Sequence, residues 1–138
     1  MPAVIPLSSL FGIEPSRMSK TENIIIETYL LSKIHKHLIN FFKSTHKNNF
    51  YSIKLGYEME YTMLESDISR LLISDILSTE EYTLQGIATY TNSHPDIIVD
   101  VAAGRNIPTA PLYQRILDLH ITVRRNLYDC IVKKILFE

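Results

Sequence analysis

The stretch TLQGIATYTNSHPDIIVDVAAGRNIPT, residues 83–109, constrains the fold of this chain more than any other segment. Thr83 suits the N-cap of a short helix, and Asn92 is one of the few residue types besides glycine that adopt a left-handed turn conformation cheaply. Pro95 fits the first position of a following helix, and Gly104 is typical of the residue after a helix end. The pattern predicts two short helices joined by a tight turn.

The apolar residues of this stretch recur where each predicted helix would face a core. We expect the first helix to turn Leu84, Ile87 and Ala88 inward, and the small side chain of Ala88 lets a neighbouring helix approach closely. The second helix is expected to bury Ile98 and Val101. His94 precedes this second helix and is expected to act as its cap.

The segment 19–45 predicts a long amphipathic helix. Ser19 and Glu22 have the spacing of a capping box, and apolar residues then recur on a helical period. The apolar stripe comprises Ile26, Tyr29, Leu30, Ile34, Leu38, Phe41 and Phe42. It is wide for a helix that packs on one side only, so the helix packs across the rest of the domain, pairs with its own copy, or does both.

Two further segments have helical periodicity. Residues 62–77 place apolar side chains at helical spacing, with Thr62 and Glu65 in capping-box register, and residues 111–137 predict one or two more helices. A short strand is expected near residues 50–57, where apolar and polar residues alternate. Residues 1–18, which contain three prolines, are expected to be loosely ordered.

Charge is unevenly spread along the chain although its net value is only −1. Residues 1–55 hold seven Lys and Arg against three Asp and Glu, residues 56–82 hold one against seven, and residues 83–138 hold six against five. Such a balance does not favour strong non-specific binding to nucleic acid. The lone Cys130 excludes an internal disulfide, and neither a secretory signal nor a membrane-spanning run is evident, so a cytoplasmic protein is expected.

Residues 62–126 resemble the helix-turn-helix of the lambda-repressor/Cro-like family, the XRE-type regulators. The resemblance rests on an aliphatic–alanine pair, a turn residue four places on, two spaced apolar positions and a glycine followed by Asn-Pro-Thr/Ser. These places are occupied by Ile87-Ala88, Asn92, Ile98, Val101, Gly104 and residues 106–109, with one extra residue between the Asn and the Pro.

The resemblance implies a mainly α fold with a lambda-repressor-like unit and, as function, a small bacterial DNA-binding transcriptional regulator that acts as a homodimer. The division expected is a helical extension over residues 19–61, serving as a possible dimerisation element, and a helix-turn-helix domain with a C-terminal helix over 62–138. The residues implied at the DNA are Gln85, His94, Pro95, Asp96, Ile97, Asp100, Arg105, Arg124 and Arg125.

The sequence departs from the family where DNA would be read. Leu84 stands in place of the glutamine that often touches phosphate, and Asp96 and Asp100 would face a polyanion. Protein–DNA contacts normally use Lys and Arg to neutralise phosphates. The alternative is a protein-interaction module that keeps the fold without DNA binding. Arg105 is expected either to contact phosphate or to interact with the helix C-terminus beside it.

No residue pattern predicts a catalytic, metal or cofactor site. The chain has no nucleophile elbow, glycine-rich phosphate loop or HExxH motif. His35, His37 and His46 are close in sequence, but their spacing does not bring the imidazoles to one helical face. His120 is expected to lie at the surface or at the boundary of the core.

Overall fold

The computed structural model describes residues 7–45 and 65–137. Over these residues the chain forms seven α-helices and a short 3-10 helix, Pro15–Arg17, and no strand. The α-helices are α1 (Leu7–Leu10), α2 (Lys20–Thr45), α3 (Glu65–Ser78), α4 (Leu84–Thr91), α5 (Pro95–Ala102), α6 (Ala110–Val123) and α7 (Arg125–Leu136). The prediction of a mainly α chain is confirmed for this part of the chain.

The core is built around the pair α3 and α6. The apolar face of α3 is buried from Ile68 to Ile76, and α6 buries residues on the same helical period. Helices α4 and α5 pack against this pair, while α7 closes the other side and also contacts α2. Burial of a Leu or Ile side chain contributes about 1.5–3 kcal/mol, so this shared face is the main apolar contribution to stability.

The two short helices and the turn between them are formed as the sequence predicts. The Thr83 hydroxyl accepts the Gly86 N–H at 3.0 Å and caps α4. Asn92 then adopts the left-handed conformation, with φ of 55° and ψ of 47°. His94 caps α5 through its Nδ1, which accepts the Asp96 N–H at 3.1 Å, and Pro95 occupies the first helical position.

Most of the side chains that were expected to face the core from these two helices are buried. Ile87 and Ala88 of α4 and Ile98 and Val101 of α5 are buried, whereas Leu84 is only half-buried. After α5 the backbone turns at Gly104, whose φ is +79°. The N–H of the following residue, Arg105, then donates to the Asp100 carbonyl oxygen at 2.8 Å.

Helix α2 begins at the predicted capping box. The Ser19 N–H donates to the Glu22 carboxylate at 2.9 Å, and the Glu22 N–H donates to the Ser19 hydroxyl at 3.1 Å. Hydrogen bonding from the Ser19 N–H, and next from the Ser19 side chain, lowers the pKa of the Glu22 carboxyl. The predicted stripe is buried only from Leu30 onward; Tyr29, expected in the stripe, is mostly exposed. The capping-box pair is therefore confirmed, and the width of the buried stripe is smaller than expected.

Part of the segment before α2, residues 7–10, forms the short helix α1; the expectation that residues 1–18 are loosely ordered stays a prediction. Leu7 and Ser8 of α1 are fully buried. The Glu27 carboxylate of α2 accepts the Leu7 N–H at 2.6 Å, and this hydrogen bond joins the first turn of α1 to α2. A residue from a later helix satisfies the N-terminal N–H of α1, which has no partner within its own helix, and local sequence could not indicate this contact.

The tail forms two helices, α6 and α7, separated at Arg124, which has φ of −110° and ψ of 47°. The expected strand near residues 50–57 and the Thr62 cap lie outside the described residues. The division into an extension over 19–61 and a domain over 62–138 stays a prediction.

The turn after α5 gives the first testable prediction. A Cβ at Gly104 would lie 2.9–3.0 Å from the Arg70 side chain on a backbone with positive φ, whereas a Cβ at Gly86 would make ordinary contacts of 3.5 Å. Gly104→Ala should therefore reduce the free energy of unfolding by about 1–2 kcal/mol. The matched control, Gly86→Ala, should change it little or raise it by about 0.5 kcal/mol. Urea denaturation measures both, and an equal loss in the two variants would contradict the prediction.

Candidate functional site

Four of the nine residues predicted to contact DNA lie on α5, and His94 and Arg105 lie just before and after it. Ile98 and Val101 fix one side of α5 in the core. Helical geometry then places Asp96 and Asp100, one turn apart, along the middle of the outward side. Ile97 and Val99 flank this line on either side, each about two-fifths exposed. We call these four residues the α5 face.

The α5 face is acidic. The side chain of Asp96 is 88% exposed, and its carboxylate lies 3.7 Å from the imidazole of His94. Asp100 accepts two hydrogen bonds from Arg105, from Nε at 3.1 Å and from Nη2 at 3.0 Å. Both Asp100 and Arg105 are substantially exposed. Asp96 therefore offers an open carboxylate, while Arg105 compensates part of the charge of Asp100.

Further exposed apolar side chains occur beside these helices. Ile107, in the loop after α5, is 71% exposed, and Tyr90 of α4 is partly exposed and meets Tyr82 edge-on with ring centroids 6.4 Å apart. Exposed apolar side chains next to carboxylates are more typical of a protein-binding surface than of a surface that follows a phosphate backbone.

The basic residues predicted near phosphates are partly engaged within the chain. Arg105 binds Asp100, as described above. Arg124 donates from Nε to Asp75 Oδ2 and from Nη2 to Asp75 Oδ1, both at 2.9 Å. These hydrogen bonds raise the pKa of Arg124 above its already high value. Gln85 and Arg125 remain exposed. The structure thus brings His94, Pro95, Asp96, Ile97 and Asp100 together with Arg105 but holds Arg124 in an ion pair at the core.

Another arginine, Arg115 of α6, is also engaged. Its Nη1 donates to the carbonyl oxygen of Thr91 at 3.2 Å. Thr91 is the last residue of α4, where helix carbonyls lack partners within the helix. Arg115 therefore stabilises the end of α4.

A buried polar network that the sequence interpretation did not anticipate joins α3, α6 and α7. Asp75 and His120 are both fully buried, and His120 Nε2 lies 2.7 Å from Asp75 Oδ2. His120 Nδ1 lies 2.7 Å from the hydroxyl of the buried Tyr128. The expectation that His120 lies at the surface or boundary is wrong, because its α6 position shares the buried face with Ile116 and Leu117.

The hydrogen-bond chemistry of this network assigns protons to its members. A carboxylate can only accept, so His120 Nε2 carries a proton and donates it to Asp75. Burial raises the pKa of the Tyr128 hydroxyl well above its ordinary value, so this group keeps its proton. With a neutral imidazole, the Tyr128 O–H donates to Nδ1, and the charge of Asp75 is balanced by Arg124. Since Asp75 and His120 are fully buried, the network supports the fold and offers no open site for substrate.

The sequence contained a signal for this network. Asp75 falls on the apolar period of α3, three and four residues after Leu72 and Leu71, and His120 does the same in α6. A charged residue in a buried stripe needs a partner, because an unpaired buried charge is strongly unfavourable. Neither residue type nor spacing says which partner it has.

A second histidine is partly buried between α2 and α6. His35 Nε2 forms a hydrogen bond with the Tyr113 hydroxyl, and the two rings meet edge-on with centroids 5.9 Å apart. Burial lowers the pKa of His35 to about 4. The imidazole is consequently neutral in the folded protein near pH 7 and helps to attach α2 to α6.

In residues 7–45 and 65–137, three or more possible metal-binding side chains do not come together. None of the helices in these two ranges has the length and apolar character needed to cross a bilayer.

The buried network gives a prediction for stability. Tyr128→Phe removes the hydroxyl that donates to His120 Nδ1 and should reduce the free energy of unfolding by about 1–3 kcal/mol. In a His120→Phe background the same change should cost less, because the hydrogen bond is already lost. Urea denaturation of the wild type, both single variants and the double variant measures this coupling. Additive losses would contradict the direct interaction.

His35 gives a prediction for pH dependence. In the unfolded chain His35 gains a proton near pH 6.5, whereas in the folded chain it does so only near pH 4. Stability should therefore fall as the pH decreases from about 6.5 to 4, because the unfolded state then binds more protons. The contribution is on the order of 1–3 kcal/mol.

The measurement for His35 is the free energy of unfolding across this pH range in wild type and His35→Gln. The variant should show a shallower decrease toward pH 4. His37→Gln, two residues further along α2, controls for the loss of an imidazole from this helix. Parallel curves for wild type and His35→Gln would refute the assignment.

Comparison of the chain with protein-family models, curated protein sequences and solved structures gave no match.

Proposed function

We propose that α3 to α6 form a lambda-repressor-like helix-turn-helix unit that serves as a protein-interaction module, and that the α5 face binds a basic segment of another protein. The observation that carries the proposal is the pair of carboxylates, Asp96 and Asp100, along the outward side of α5 with Ile97 and Val99 beside them. A segment with Lys or Arg next to apolar residues complements both properties of this face.

The charges around α5 support a protein partner over DNA. The guanidinium of Arg105 is held by Asp100, and that of Arg124 is held by the buried Asp75. A DNA-binding surface needs several cationic side chains directed at phosphates. These side chains displace counterions from the DNA, and that displacement supplies much of the affinity. On the outward side of α5 the carboxylates occupy the positions that would enter the groove.

The second candidate function is the DNA-binding regulator implied by the family resemblance. It is favoured by the capped helix, the turn at Asn92 and the second capped helix, which match the arrangement that such regulators use to present a recognition helix. In that case Asp96 would accept from cytosine and Ile97 would contact a thymine methyl group. Gln85 and Arg125 would then lie near phosphates.

Two labelled probes distinguish these functions by fluorescence anisotropy. One is a synthetic amphipathic peptide with lysines and leucines at helical spacing, and the other is a short mixed-sequence DNA duplex, each titrated at low and moderate salt. For the interaction module we expect the peptide to bind and the duplex to bind weakly or not at all. The reverse, with an affinity for the duplex that falls steeply with salt, would support the regulator.

Variants of the α5 face sharpen this test. Asp96→Asn/Asp100→Asn should weaken peptide binding about tenfold, since two exposed ion pairs contribute roughly 1.4 kcal/mol together. The matched control, Asp118→Asn, removes an exposed carboxylate from α6 and should leave binding unchanged. Equal peptide binding by all three proteins would refute the α5 face as the binding surface. Weakened duplex binding by Arg105→Ala would instead indicate a phosphate contact.

A further inference from the structure

The first ten residues of α2, from Lys20 to Tyr29, contain no buried residue. Three large apolar side chains on this part of the helix are exposed: Ile24 by 46%, Ile25 by 61% and Tyr29 by 56%. We call these three residues the apolar α2 face. Exposed apolar side chains that cluster on one helix commonly mark an interaction surface.

This exposure follows from the length of α2. Its 26 residues extend over about 39 Å, and its buried residues, Leu30, Ile34, Leu38 and Phe42, all lie in the later part. The earlier part is supported by α1, through the Leu7 N–H and the Glu27 carboxylate. Most helical stability in proteins comes from packing of an apolar face, and the apolar α2 face has no such packing among the described residues.

The residues between the members of the apolar α2 face suit close approach of another helix. At 100° per residue, the arc from Ile24 to Tyr29 contains Thr21, Thr28 and Ser32, which are exposed and uncharged. This arc has no charged side chain over residues 20–32. Small neutral residues between larger apolar ones allow two helices to pack without burying a charge.

Charges at one edge of this arc indicate what covers it. Glu22 and Lys33 both lie beyond Tyr29 on the same edge, about one and a half turns to either side of Glu27. The Lys33 ammonium lies 5.6 Å from the centroid of the Tyr29 ring, so it borders the apolar α2 face. Glu22 and Lys33 thus lie on one edge at nearly equal distances from its midpoint. If the same edge of a second α2 runs in the opposite direction, each Glu22 meets a Lys33.

We infer that the apolar α2 face binds a second copy of this chain. The two α2 helices lie antiparallel about a two-fold axis that crosses them at the level of Glu27 along the helix. In such a pair the same edge of each helix meets, so Glu22 of one copy lies beside Lys33 of the other, and the contact occurs twice. Ile25 of each copy then lies near Tyr29 of the other. Parallel helices would bring opposite edges together and lose both charge pairs.

The size of the surface sets the expected strength of the dimer. With only three partly exposed apolar side chains per copy, the apolar part of the interface is below about 1,000 Å², the lower limit for a stable specific complex. The dimer should therefore be in reversible equilibrium with monomer, with a dissociation constant on the order of micromolar.

Sedimentation velocity of the full chain over a range of protein concentrations tests the association. The wild type should change from monomer to dimer as concentration rises, and Ile25→Lys should remain monomeric. Ile107→Lys, the matched control, introduces the same charge at an exposed isoleucine of the loop after α5 and should dimerise as wild type does. A wild type that stays monomeric, or equal loss of dimer in both variants, would overturn the inference.

A charge exchange tests the edge contacts. Glu22→Lys and Lys33→Glu should each weaken the dimer several-fold, and the double variant should recover most of the affinity. Because Glu22→Lys also removes the capping-box carboxylate, recovery in the double variant cannot come from helix capping. No recovery, with both single variants folded by circular dichroism, would overturn the pairing of Glu22 with Lys33.

Disulfide formation tests the direction of the helices. In a Cys130→Ser background, Thr28→Cys lies near the two-fold axis and should form a disulfide-linked dimer under mild oxidation. Lys43→Cys, at the far end of α2, should not do so in an antiparallel pair. Equal cross-linking at both positions would indicate parallel helices and overturn the proposed arrangement.

Discussion

The fold depends on how one buried carboxylate is satisfied. Asp75 lies within the apolar face of α3, fully removed from solvent, where an unpaired charge would cost several kcal/mol. His120 supplies one donor from α6 and Arg124 supplies two from the junction of α6 and α7. Because the donors of His120 and Arg124 must reach the same carboxylate, the network sets the position of α7 relative to α3 and α6. The Arg124 guanidinium also lies 5.7 Å from the centroid of the Phe41 ring, which extends these contacts to α2.

Local features of the fold were predictable from sequence because each depends on the conformational preference of one residue or on neighbours three positions apart. Asn92 and Gly104 adopt positive φ where the pattern requires it, and Ser19 and Glu22 exchange hydrogen bonds at the start of α2. Contacts between distant residues were not predictable in the same way. Asp75 and His120 are 45 residues apart. The sequence indicated only that each needs a partner, because each is a polar residue at a position where the helical period places apolar residues.

The outward positions on α5 could be identified from sequence, but the ion pairs that the nearby charged residues form could not. Sequence spacing identified the outward residues of α5 and the two aspartates among them. It could not show that Arg105 folds back onto Asp100, since that contact depends on the chain reversal at Gly104. Nor could it show that Arg124 is held at the core, because its partner Asp75 belongs to α3. The number of available cations near α5 is thus a property of the tertiary structure.

The unequal burial of α7 and of the start of α2 has a consequence for how the molecule opens. Helix α7 is joined to the core by the hydrogen bond between Tyr128 and His120 and by the ion pair of Arg124 with Asp75, so its inner residues cannot separate from α6 without exposing a buried charge. Its amide hydrogens should exchange with solvent only when the whole core unfolds. The first ten residues of α2 contain no buried residue, and their amides should exchange through local opening. The C-terminal helix therefore belongs to the last region to open, and the start of α2 to the first.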